Sequence, residues 1–133
     1  MFTGFETRHP RLAFKLPAVA YMAVIVGMSS IPGHDLPDLG LWSFDKVVHA
    51  IEFGLLGILL YRALRFPRPV WRPYLLTLLI GIPFAALDEI HQLFVPGRFC
   101  DIYDFLMDVA GIVLFAGISA RIHGGRTMTR RTP

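Results

Sequence analysis

The sequence predicts an all-α, polytopic membrane protein: a bundle of four transmembrane helices with both termini cytoplasmic. Three observations predict it. Hydrophobic residues make up 54% of the 133 positions against 17% charged, with a mean hydropathy of +0.54. A soluble domain of one-domain length exposes much surface for its volume, and ten acids with thirteen bases could not cover it evenly, which argues against a soluble globular enzyme. The apolar residues gather in four runs, about 12–30, 47–64, 74–95 and 105–122, each close to the ~20 residues a helix needs to cross hydrocarbon. Finally, charge of one sign alternates with the other from loop to loop.

The first run is the cleanest, because Leu16 to Gly33 carries no charge. Arg8, Arg11 and Lys15 before it would suit a secretory signal, but the run is as long as a span and lacks an Ala-x-Ala-like site, so it reads as an uncleaved helix. The other three runs carry Asp, Glu, His or Arg near one end. For them helix follows from lipid itself, where an open sheet edge goes unsatisfied and four long segments are too few for a barrel. Pro17 is tolerated near the start of the first span, Pro83 with Gly81 marks a kink in the third, and Pro32-Gly33 and Pro96-Gly97 read as turns. Trp42, Trp71, Tyr74 and Tyr103 stand at span ends, as interfacial anchors do. Gly54, Gly57, Gly111 and Gly117 suit close helix packing better than a phosphate loop, and the Gly54–Gly57 face would also suit a homodimer. One cysteine, Cys100, allows no intrachain disulfide and no zinc finger.

Charge sets the orientation. The N-terminus to Lys15, the connection from Arg62 to Arg72 and the tail from Arg121 hold eleven of the thirteen bases and one acid, Glu6, for a net +10. The remainder nets −7, with Lys46 and Arg98 its only bases. The positive-inside rule then places both termini and the second loop in the cytoplasm and the first and third loops outside. Arg126, Arg130 and Arg131 in the 123–133 tail read as a topology signal that meets anionic lipid, so membrane lipids and not nucleic acid are the expected partners.

With that topology the unusual polar residues all fall near the outer face. Asp45, Lys46, His49 and Glu52 open the second span; Asp88, Glu89, His91 and Gln92 close the third; Arg98, Asp101, Asp104 and Asp108 lead into the fourth. Helical spacing puts Asp45, His49 and Glu52 on one face, Asp88 and Gln92 on another, and Asp101, Asp104 and Asp108 on a third. At ~1.5 Å per residue, Glu52, Asp88 and Asp108 lie on the order of 5 to 10 Å below the interface, too deep for a carboxylate to face lipid. They point inward, with Lys46, Arg98 and the histidines as counter-charges. Simpler roles compete at the edges: Asp101 or Asp104 as a cap of the fourth helix, Asp45 and Lys46 as interfacial anchors, His91 as a packing residue.

Read as strings, DKVVHAIEF at 45–53, DEIHQLFVPGR at 88–98 and DFLMDVAG at 104–111 resemble the VanZ-like family over most of the chain. Asp45, Lys46, His49, Asp88, Glu89, Gln92, Arg98, Asp104 and Gly111 agree with that family's pattern, and Ser29-Ser30 before Pro32 resembles the end of its first helix. Asp108 stands where Asn is usual and Asp101 where a small polar residue is common. The resemblance implies a small protein of the bacterial cytoplasmic membrane, linked in the family's namesake to resistance to teicoplanin, a lipophilic glycopeptide antibiotic. It supplies no reaction.

Two functions fit these residues. In a membrane enzyme acting on a lipid-linked envelope substrate, His49, Asp88, Glu89 and Asp108 would do the chemistry, while Asp45, Lys46, Glu52, Gln92, Arg98 and Asp104 would hold the substrate and a phosphate on it. In a non-catalytic envelope factor the same pocket would bind a lipid headgroup, precursor or glycopeptide. A proton path is the least favoured, since no acid lies in the cytoplasmic half of any span. Carboxylates beside a His would suit Mg²⁺ or Zn²⁺, but no His-Glu-x-x-His spacing fixes an ion, so the sequence requires no cofactor.

Overall fold

The computed structural model of the chain describes residues 10–35, 42–65 and 69–129, with side chains over 14–35, 45–65 and 69–124. Among these residues it is all-helical: α1 Pro10–Ser29, α2 Trp42–Leu64, α3 Trp71–Gln92 and α4 Ile102–Thr129, with a short 3₁₀ turn at Gly33–Asp35. The acid Glu6, the bases Arg8, Arg11, Arg126, Arg130 and Arg131, and the anchor Trp42 lie outside the described side chains.

Three stretches, Asp45–Leu64, Trp71–Gln92 and Ile102–Gly124, are long and apolar enough to cross a membrane, and α1 contributes a shorter apolar stretch, Phe14–Ser29. In the most apolar 18 residues of each span, at most 39% are buried against the rest of the chain. Most of their apolar surface, including Val19, Leu79, Leu87 and Leu114, therefore points outward, as a lipid solvent requires and water does not tolerate.

Helix ends differ from the apolar runs for local reasons. α3 starts at Trp71 and ends at Gln92, three residues ahead of the 74–95 run at both ends. Pro73 fits in the first turn, where its missing N–H is no loss, and Leu93 to Val95 are drawn into turns ahead of Pro96. Val95 to Arg98 form a turn closed by Arg98 N–H to Val95 O at 3.1 Å, with Pro96 second and Gly97, at φ +73°, third, a conformation that suits Gly. α3 runs unbroken through Pro83. α4 continues past Ile122 to Thr129, since basic residues mark where hydrocarbon ends and not where a helix must.

The core joins Ile25 of α1, Phe53, Leu56 and Leu60 of α2, Ala85 of α3 and Ile112 of α4. Glycines set the α2–α4 distance: a Cβ on Gly111 would meet the Ala50 carbonyl oxygen, and one on Gly57 would lie 3.0 Å from Ile112 O. A Cβ on Gly54 would reach the Phe115 ring at 2.9 Å. The Gly54–Gly57 face thus packs against α4 within the chain. Gly33 donates its N–H to Pro96 O at 2.9 Å, which locks the first and third connections together at one end of the bundle.

Candidate functional site

That locked end holds the polar residues. On α2, Lys46 and His49 are buried, 7% and 6% exposed, and one turn further the same face carries the core residue Phe53. Asp45 is exposed and Glu52 half-buried. The face that meets α4 is therefore Lys46–His49–Phe53, not the Asp45–His49–Glu52 stripe that spacing alone suggests. Asp45 stays at the rim, and Glu52 lies within electrostatic reach of His49, Asp88 and Arg98.

Two rungs connect α2 to α4. The Lys46 ammonium donates to Asp101 Oδ2 at 2.5 Å and to Asp104 Oδ1. One turn deeper, His49 Nδ1 lies 3.0 Å from Asp108 Oδ1, while its Nε2 is 4.0 Å from Asp104 Oδ2. Asp101 also caps α4, accepting the Tyr103 N–H at 2.8 Å, so the capping role and the ion pair coexist. The Lys46 ammonium, and next the Tyr103 N–H, hold the Asp101 carboxyl below its usual range.

On α3 the adjacent acids part company, because neighbouring residues on a helix point ~100° apart. Asp88 faces α1, where its Oδ2 accepts the Ser29 hydroxyl at 2.7 Å and the Gln92 amide at 3.5 Å. Glu89 faces α4, where its Oε2 accepts the Asp101 N–H at 2.9 Å. Both are 3% exposed and Gln92 is 2% exposed. Three carboxylate oxygens in this cluster, Asp88 Oδ1, Glu89 Oε1 and Asp108 Oδ2, are buried without a hydrogen-bond partner among the described residues.

Arg98, expected as a counter-charge, makes no ion pair among the described residues, and its buried Nε has no hydrogen-bond partner there. Its loop turns at Gly97 before the chain reaches α4, which leaves Lys46 as the cation that pairs with the acids. Ser29 joins the cluster with no sequence signal beyond its place in the Ser29-Ser30 string. Ser30 extends this edge, its hydroxyl 2.9 Å from His91 Nε2. Cys100 is exposed, and desolvation followed by the nearby Glu89 carboxylate pushes its thiol up, away from a reactive thiolate.

Chemically, the arrangement offers a His–carboxylate pair able to hold or pass a proton and several carboxylate oxygens free to accept one. It also holds a half-buried guanidinium that pairs with none of these acids. The family model described as VanZ/LLP1 matches residues 5–123. The chain belongs to the VanZ/LLP1 family. The match takes in the first two long spans, the third up to residue 123, and every residue of the VanZ/LLP1 chain's polar cluster. Neither the curated proteins nor the solved structures contain a match to the chain.

Proposed function

We propose that this VanZ/LLP1 member is a multi-pass protein of the bacterial cytoplasmic membrane, with both termini cytoplasmic, whose outer-facing pocket acts on a lipid-linked envelope substrate. The observation that carries the reading is the set of buried, partnerless carboxylate oxygens on Asp88, Glu89 and Asp108, beside His49. Leaving such atoms dry costs about 1–3 kcal/mol each, which a purely structural bundle has no reason to retain. In this reading His49 and Asp108 transfer the proton, with Asp88 and Glu89 completing the acidic wall. Arg98 holds a substrate phosphate, because Lys46 is already engaged by two carboxylates. Altered sensitivity to teicoplanin would follow from a changed envelope precursor.

The satisfied Lys46–Asp101–Asp104 triad favours a second reading, a non-catalytic factor that binds a lipid headgroup, a precursor or the glycopeptide itself, since a locked triad moves no proton. One experiment separates the two. Envelope lipids and precursors are compared by mass spectrometry in cells holding equal membrane levels of wild type, His49→Ala or Asp88→Asn. A species that changes with wild type alone supports the enzyme; identical profiles with altered glycopeptide sensitivity support the binder.

A further inference from the structure

We infer that His49, Glu89 and Asp108 form a binding site for one divalent transition-metal ion of the Mn²⁺ or Zn²⁺ type. Each residue comes from a different helix, and one ligand atom from each lies within 4.8 Å of the other two. All three are buried, Asp108 completely. Metal–ligand bonds of about 2.0–2.2 Å put the donors of one ion roughly 3 to 4.4 Å apart, so side-chain rotation alone closes the observed spread. Independently of that convergence, Glu89 Oε1 and Asp108 Oδ2 are partnerless, which is the state of a carboxylate that awaits a cation.

Charge and donor type narrow the occupant. Asp88, Glu89, Asp104 and Asp108 are all buried here, and the one buried lysine is spent on Asp101 and Asp104. Neither Glu89 nor Asp108 forms an ion pair with a lysine or arginine among the described residues. An imidazole nitrogen with two carboxylates suits Mn²⁺ or Zn²⁺, whereas Mg²⁺ and Ca²⁺ favour oxygen donors throughout. Asp45, His49 and Asp104 also converge. That set is the weaker one, because Asp45 is exposed and the Lys46 ammonium already occupies Asp104 and repels a cation.

The inference rests on the same buried cluster as the proposed function, with His49 and Asp108 holding the ion in place of passing a proton, and metal content is read independently of any turnover. The full chain, purified in detergent and stripped with EDTA, is titrated with MnCl₂ and read by electron paramagnetic resonance and elemental analysis. About one ion per chain is expected, with the nitrogen coupling of a bound imidazole, and Glu89→Gln and Asp108→Asn each weaken binding by about tenfold or more. The wild-type arm does not depend on whether the variants fold. No stoichiometric binding, or binding without nitrogen coupling, overturns the site. So does metal that survives Glu89→Gln and Asp108→Asn, or that is lost instead on Asp45→Asn.

Discussion

The two ends of the bundle handle polar residues in opposite ways. At the end that carries Arg62, Arg65 and Arg72, no arginine is fully buried and Arg62 and Arg72 are exposed: Arg62 and the half-buried Arg65 stack over the Phe14 ring at 5.2 and 5.8 Å, and Arg72 over Trp71 at 5.3 Å. His123 turns back onto its own helix, to Ser119 O at 2.7 Å, and packs against Tyr61. At the other end charge goes inward and crosses between helices, Lys46 to Asp101 and Asp104, His49 to Asp108, and Asp88 to Ser29. A bundle needs the first arrangement to sit in a bilayer. The second is costly to build and serves no orientation, which is why the proposed function is placed at the acidic end.

The sharpest way to break the comparison is to remove one charge from each end. Lys46→Met leaves two acids facing an apolar stub and is expected to cost about 3 kcal/mol or more, read as loss of folded protein in graded denaturant. Arg62→Ala, whose cation lies over an aromatic face in the open, is expected to cost no more than about 1 kcal/mol. Equal losses would erase the distinction between the ends. Next in size comes backbone approach along α4. Gly111→Ala drives a methyl into the Ala50 carbonyl and is expected to cost about 1–3 kcal/mol, with the Lys46 and His49 rungs pushed apart. Gly117→Ala, six residues on, meets only the Tyr74 ring at 3.8 Å and is expected to change stability by less than about 0.5 kcal/mol.

These contrasts also show what could be read from the chain. Four helices, and polar residues massed near one end, follow from composition and from 3.6-residue spacing, because lipid leaves few other solutions. Partner choice does not follow. Spacing groups Asp45 with His49 and Glu52, yet which side of that stripe meets α4 depends on how closely Gly57 and Gly111 let the helices approach, and the answer shifts the buried face to Lys46. Asp88 and Glu89 are neighbours in sequence but serve different helices. Arg98 lies in a loop, where no periodicity reports direction. The ends of α3 and α4 departed from the apolar runs because hydropathy senses the membrane and hydrogen bonding decides the helix.

A smaller effect tests the α1 edge of the site. Ser29→Ala removes the hydroxyl from Asp88 Oδ2 and leaves the carboxylate with Gln92 at 3.5 Å, at an expected cost of about 1–3 kcal/mol. Thr77→Ala in the middle of α3 removes a hydroxyl that bonds only to its own helix, at Pro73 O, and the cost is expected to be smaller. If Thr77→Ala proves the more damaging, the link from α1 into the acidic end is not what steadies Asp88.

The smallest effect concerns pH. Asp101 is partly open to solvent, and its carboxyl is held down first by the Lys46 ammonium and then by the Tyr103 N–H. In the unfolded chain an aspartate titrates near ~3.9. Because the folded value is lower, the unfolded state takes up the proton first as pH falls, so the stabilisation is complete above the unfolded value and disappears as pH drops through the folded one. Asn caps a helix about as well as Asp, so Asp101→Asn removes the charge and keeps the cap. The difference in melting temperature between wild type and Asp101→Asn should therefore hold steady down to about pH 5 and shrink below about pH 4. Solvent screening keeps it modest. A difference that widens on acidification would mean that Asp101 is not held by Lys46 in the folded protein, and the outer rung of the acidic end would then rest on Asp104 alone.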